Sequence, residues 1–288
     1  MLEDYRNALR AGQRATRAAQ ARGQSPYLAV LDDILRGVNI VAQEPLGLVD
    51  IPAESIVGTK TAGRHTAFAP NFMPILEADS EFARKWSNLC DAHLEEGIRY
   101  PITAYEYLNK FYVEEGNKRV SVLKYYEAVK IPGTVTRLVP ERNETLENKI
   151  YYEFLDFYKV SKINYVHFSR LGGYAKLQTL VCKATGESWT DDDRLNFASL
   201  YTMFSQQFYA LGGSALGLTP GDALLVYLAV YRYSDAIEST PAQVRENLSK
   251  LWDEIKILTR PQAVELQLEP ATKPVSYTHL RAHETRHD

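Results

Sequence analysis

The residues best suited to chemistry lie in one run, Phe111-Tyr112-Val113-Glu114-Glu115-Gly116-Asn117-Lys118-Arg119-Val120-Ser121-Val122-Leu123. Phe111 and Val113 alternate with Tyr112 and Glu114 at strand period, and Val122, Leu123 and Tyr126 then fall on one helical face. Gly116 between them tolerates a positive φ. The run therefore predicts a strand, a tight glycine turn and a helix N-terminus. Unpaired backbone N–H groups and the positive end of a helix dipole would stand there beside the cations of Lys118 and Arg119, which suits a phosphate better than a neutral ligand. Gly116, Asn117, Lys118, Arg119 and Ser121 form the expected phosphate-binding set. The competing reading is a basic first helical turn that lies in water. Glu114 and Glu115 beside the phosphates are the candidates for a general base or a magnesium ligand, against the alternative of solvated glutamates at a strand end.

Other runs of reactive residue types are less specific. In Gly58-Thr59-Lys60-Thr61-Ala62-Gly63-Arg64 two glycines bracket hydroxyl residues and a lysine. A P-loop requires Lys and then Ser or Thr after its second glycine, and here Arg64 and His65 stand in those places. The segment reads as a loop lending Arg64 or Lys60 to a site built elsewhere, or as plain turn chemistry. His93 shares its helical stripe with no second histidine and reads as a packed core residue. Cys90 and Cys182, the two cysteines, have no neighbouring histidine and no partner at metal-ligand spacing, so they read as small buried hydrophobes. The triple aspartate Asp191-Asp192-Asp193 favours helix capping, because consecutive helical residues point in different directions. No metal site is expected within the protein alone.

His279, His283 and His287 recur at helical spacing and would make a metal face if read literally. The residues from Val275 to Thr285, however, match one reading frame of a DNA string resembling a transposase-type sequencing-library adapter. Residues 275–288 are therefore read as an adapter-derived artefact and left out of fold reasoning. The natural chain is expected to continue past a linker at 263–274 into a further domain.

The elements that must position the site follow from periodicity and turn chemistry. The chain has 288 residues, 45% hydrophobic and 24% charged, enough for two core-bearing units. A net charge of -3 provides no global basic field for nucleic acid, and no apolar run approaches membrane-helix length. With no apolar leader and two unpaired thiols, a cytoplasmic location is expected. Residues 1–40 predict a helical hairpin, with Arg6, Arg10, Arg14 and Arg17 on an exposed face of the first helix and a second short helix ending near Gly37. A strand is expected at 46–51, a helix at 80–96 closed by Gly97, strands at 101–105 and 110–114, a helix at 117–128 and a strand at 134–139. This alternation assigns residues 41–142 to a mixed α and β domain. A polar linker at 142–149 leads to a mainly helical domain at 150–262, in which Thr190, Thr219 and Thr240 cap helices at 191–210, 221–238 and 241–258. The aromatic stripes Tyr201, Phe204, Phe208 and Tyr227, Tyr231, Tyr233 read as core packing, with base stacking as the sharper alternative.

Three segments together resemble the ParB/sulfiredoxin superfamily: Pro101-Ile102-Thr103, the run from Phe111 to Arg119, and Ile131-Pro132-Gly133-Thr134-Val135-Thr136-Arg137. The resemblance covers roughly residues 46–140. It implies an α+β, ParB/sulfiredoxin-like domain in which Gly116, Asn117, Lys118 and Arg119 cradle the phosphates of a nucleoside triphosphate with magnesium, and Arg64 takes the place of an earlier family arginine. Asn117 stands where sulfiredoxins carry their cysteine, so sulfinic-acid reduction, which needs a thiolate, does not transfer. The segments 111–124 and Ile150 to Tyr158 are also similar to the ParB-like N-terminal region of certain bacterial BMP-family substrate-binding proteins of ABC transporters. That similarity implies a missing C-terminal ligand-binding domain. The expected function is a nucleotide- or phosphate-binding regulatory module. The alternatives are a phosphotransferase or nucleotide hydrolase on the same fold, and a DNA-binding module using the basic first helix.

Overall fold

The structure is a computed structural model that describes residues 2–259. Six strands, β1 (Ala29–Val30), β2 (Ile40–Pro52), β3 (Ile56–Thr59), β4 (Ile102–Tyr107), β5 (Lys110–Glu115) and β6 (Lys130–Pro140), form one mixed sheet in the order β1-β3-β5-β4-β6-β2. β4 and β5 are an antiparallel hairpin joined by Leu108 and Asn109, whose φ angles of 51° and 62° suit a two-residue primed turn. β5 then pairs in parallel with β3, and β4 in parallel with β6. The strand leading into the glycine turn is thus held on both edges.

Side-chain alternation places the two covered faces. Phe111, Val113, Ile102 and Ala104 bury on one side with Ile131 and Val135, against Val120 and Leu123 of α4 (Asn117–Tyr125). Tyr112, Tyr107 and Leu138 point to the other side, against Leu31. α1 (Leu2–Ala21) packs on α3 (Glu81–Glu96) through Tyr5, Ala8, Trp86 and Cys90. Ser80 caps α3 by accepting from the Ala83 N–H at 3.1 Å, and Gly97 closes it at φ 76°.

The expected N-terminal helical hairpin is not formed. α2 (Leu31–Ile34) is a single turn, because Ala29 and Val30 ahead of it pair in parallel with Gly58 and Thr59. The segment joins the sheet instead. That pairing also explains Gly58, expected in a loop: a Cβ there would stand 2.3 Å from the Ala29 carbonyl oxygen. β2 and β6 are each longer than expected and pair along almost their whole length, with shifts of register at Ile40/Ala42 and Pro45/Gly47.

The helical part comprises α5 (Leu146–Ser161), α6 (Gly173–Leu180), α7 (Asp191–Ala210), α8 (Pro220–Val230), α9 (Tyr233–Ile237), α10 (Pro241–Lys250) and α11 (Trp252–Ile257). Thr190, Thr219 and Thr240 each make a reciprocal capping box with the residue three positions on. Two expected helices are broken in two, at Tyr231-Arg232 and at Leu251, and α5 begins inside the expected linker. Phe204, Phe208 and Tyr227 are fully buried in this core. Their packing leaves no face for base stacking. Cys90 is buried and Cys182 exposed, so the expectation of two buried thiols holds for the first alone. The expected linker at 263–274, the adapter-derived segment and its histidines lie outside the described residues.

A buried charge pair of the sheet is closed over by the helical part, beside surface contacts such as Lys110 with Glu147 and Tyr152 Oη with the Pro140 carbonyl. Glu106 and Arg137 face each other across β4 and β6, with side chains 1% and 2% exposed. Arg137 Nε donates to Glu106 Oε2, Tyr151 Oη of α5 donates to the same carboxylate at 3.2 Å, and the Asn109 N–H donates to Oε1 at 2.8 Å. The guanidinium stacks 4.5 Å from the Tyr158 ring and 5.2 Å from the Phe154 ring. Removing one partner strands a buried charge, which costs about 3–5 kcal/mol. Arg137→Met is expected to lose that much in urea denaturation, and Arg137→Met with Glu106→Gln to regain more than half of it. A double variant as unstable as the single one would show that packing, not charge, sets the cost.

Candidate functional site

Gly116 sits at the N-cap of α4 with φ 110° and ψ 19°. A Cβ there would stand 2.8 Å from Ile102 Cγ2 and 3.1 Å from Arg119 Nε, so the turn requires glycine for both its backbone and its space. The first intrahelical bond runs from the Val120 N–H to the Gly116 carbonyl at 3.0 Å. The N–H groups of Asn117, Lys118 and Arg119 are left directed out of the helix end.

The sequence-predicted side chains divide into three groups. Lys118, Arg64, Glu114 and Glu115 line one cleft of about 430 Å³ with the Gly116 turn, Phe68 and Phe82. Arg64 comes from the turn Ala62–Ala67 and is exposed, with no ion-pair or hydrogen-bond partner among the described residues. Lys118 Nζ lies 4.7 Å over the Phe82 ring. Burial, and then the charges of Arg64 and Lys85, pull the Lys118 ammonium below its ordinary range, against a smaller opposing effect of Glu81. The cleft therefore holds two cations that repel each other. Glu114 and Glu115 are exposed at its rim.

Asn117 and Arg119 line the same cleft, but their side chains brace the turn. Arg119 Nη1 donates to the Tyr100 carbonyl at 3.0 Å and the Pro101 carbonyl at 2.6 Å, and its Nη2 lies 3.7 Å from Glu115 Oε1. Asn117 Nδ2 donates to Thr59 Oγ1 at 3.2 Å, and Thr59 Oγ1 donates to the Val113 carbonyl at 2.9 Å. These bonds tie the helix end to β3, β5 and the approach to β4. Ser121 is not brought to the cleft. It is fully buried and accepts from Trp86 Nε1 at 2.8 Å, one turn inside the helix. Its place in the expected phosphate set is corrected to a core hydrogen bond.

Sequence reasoning passed over Phe68 and Phe82, which form the cleft's apolar wall; Phe82 carried a helical-stripe signal that pointed equally to the core. It also passed over Lys124. That amine donates to the Ile56 carbonyl at 2.8 Å and lies 4.9 Å over the Phe72 ring, and burial pulls it down to about 8 against the attraction of Glu54. His93 accepts the Ile98 N–H at Nδ1, 3.3 Å, in keeping with a packing role.

Among the described residues no group of three or more His, Cys, Asp or Glu could hold a metal ion. No helix among them is long and apolar enough to cross a membrane. No protein-family model matches the chain, and no curated protein matches it. The functional reading rests on the geometry of the turn.

Two outcomes follow. Ser121→Ala leaves the buried Trp86 N–H without an acceptor and is expected to cost about 1–3 kcal/mol in chemical denaturation while leaving anion binding at the cleft unchanged. A Ser121→Ala protein that loses anion affinity instead would return the hydroxyl to the site. For Lys124, whose folded pKa is depressed from 10.5 to about 8, the stability contribution is complete above 10.5 and is lost as pH falls through about 8. Urea midpoints of the wild type are therefore expected to fall relative to Lys124→Met between those pH values, and to run parallel below them. A constant difference across that window would contradict burial as the cause.

Proposed function

We propose that the chain is a phosphate-binding regulatory module of ParB/sulfiredoxin type, with the phosphates of a nucleoside triphosphate received at the Gly116 turn. The observation that carries this reading is that Lys118, Arg64 and the N-terminal turn of α4 share one cleft, where the helix's first N–H groups have no partner within the helix. An anion between the two cations relieves their repulsion, accepts from the backbone N–H groups and meets the positive end of the α4 dipole. Phe82, partly exposed and backed by the buried Phe68, offers the apolar surface that a base or another ring would lie against. Asn117 and Arg119 hold the turn in this shape without spending it on the ligand.

Magnesium fits such a complex in a particular way. It is commonly bound by one or two carboxylates together with substrate phosphates, and Glu114 and Glu115 are the carboxylates lining this cleft that would supply them. The same two residues favour a second reading, nucleotide hydrolysis, in which one of them holds or takes a proton from water. Binding comes first because, among the described residues, neither glutamate accepts a hydrogen bond that would orient it as a base, and Glu115 faces only Arg119, at 3.7 Å.

Titration calorimetry with ATP and with inorganic triphosphate separates these readings. Arg64→Ala with Lys118→Ala is expected to weaken both ligands by about tenfold or more. Arg119→Ala is expected to lower thermal stability as well as affinity. Unchanged affinity in the Arg64/Lys118 double variant would remove the phosphate assignment. Phosphate release that disappears in Glu115→Gln would move the protein to the hydrolase class.

A further inference from the structure

α7 is packed on more than one side. Phe197, Leu200, Phe204 and Phe208 bury in the helical core, whereas Tyr201, Ser205 and Tyr209, spaced four apart, recur on a face that lines a separate cleft. This second cleft, of about 320 Å³, lies between the helical part and the sheet. Opposite α7 stand Ala53 and Glu54 after β2, Val129 and Lys130 at the approach to β6, and Tyr165 between α5 and α6. Its volume falls within the roughly 300–1,000 Å³ of small-molecule sites. Three tyrosines, the Glu54 carboxylate and the exposed Lys130 ammonium give it its chemistry.

Glu54 is the charged group that sets the ligand's sign. It accepts one hydrogen bond, from Tyr209 Oη at 3.2 Å, and has no ion pair among the described residues. Lys124 lies near enough to feel it, but its ammonium is engaged by the Ile56 carbonyl and the Phe72 ring. Tyr165 and Tyr201 stand with ring centroids 5.6 Å apart. Lys130 Nζ already rests 5.8 Å from the Tyr165 ring centroid, and being an exposed side chain it can yield that place to another cation. Glu54 is exposed at the mouth of the cleft, so an anion entering it would meet that charge, while a neutral apolar molecule would gain nothing from it. A metal ion would find one carboxylate where several oxygens are needed. A cation with an apolar body meets both the rings and the charge.

We propose that this cleft binds a small organic ammonium, its apolar body among Tyr165, Tyr201 and Tyr209 and its charge paired with Glu54. The site is independent of the Gly116 turn.

Calorimetry on the full chain with 2-phenylethylamine and its neutral counterpart 2-phenylethanol tests it. The amine is expected to bind about tenfold more tightly than the alcohol. Glu54→Gln is expected to abolish that preference, and Tyr209→Ala, which removes one wall at a half-exposed position, to weaken both ligands. Arg64→Ala with Lys118→Ala is expected to leave amine binding unchanged, so failure of the phosphate reading and failure of this one are distinguishable. Equal affinity for amine and alcohol, no amine binding at millimolar concentration, or a Glu54→Gln protein that keeps the preference while retaining its helical circular dichroism would each overturn the proposal.

Discussion

The ion pair of Glu106 with Arg137 is the contact on which the arrangement of the two parts depends. Neither charge reaches water, so each must be satisfied inside the protein, and the partners come from both parts. The Asn109 N–H fixes the hairpin turn between β4 and β5 to the carboxylate, while Tyr151, Tyr158 and Phe154 of α5 close over the pair. The hairpin that ends in the Gly116 turn is thereby referenced to the helical part. Any change in how α5 sits must break or carry with it a buried charge.

At the other end of β5 the constraint is geometric. Gly116 takes a backbone conformation and a space that a larger residue would not fit, and Arg119 folds back onto the Tyr100 and Pro101 carbonyls. The helix end is therefore rigid before any ligand arrives, and a preorganised donor set loses little on binding. In the proposed site the backbone N–H groups, Lys118 and Arg64 would meet the ligand, and Asn117 and Arg119 brace the turn. The cleft at Gly116 is lined by three cations and two carboxylates, that at Glu54 by one carboxylate and one ammonium.

Local signals in the sequence told the truth where the outcome is decided locally. The strand, glycine turn and helix from Phe111 to Tyr125 follow from a change of period around one glycine, and the Thr190, Thr219 and Thr240 caps follow from side-chain reach over three residues. Outcomes decided by distant contacts were hidden. Gly58 resembled a loop glycine because its reason is the Ala29 carbonyl, far away in sequence. Arg119 resembled a phosphate ligand because nothing in the sequence shows the two carbonyls that take its guanidinium. Ser121 lay on the right helix but on the face turned to Trp86. Glu106 and Arg137 gave no signal at all, since strand alternation alone does not distinguish a buried charge from an exposed one.

The central claim is that the backbone at the start of α4 receives phosphate oxygens, and backbone amide resonances report this directly. In a ¹⁵N-resolved titration with inorganic triphosphate, the account predicts the largest shifts at the amides of Asn117, Lys118 and Arg119, with little change at Ser121. Saturable shifts elsewhere in the protein, with those three amides unmoved, would contradict it.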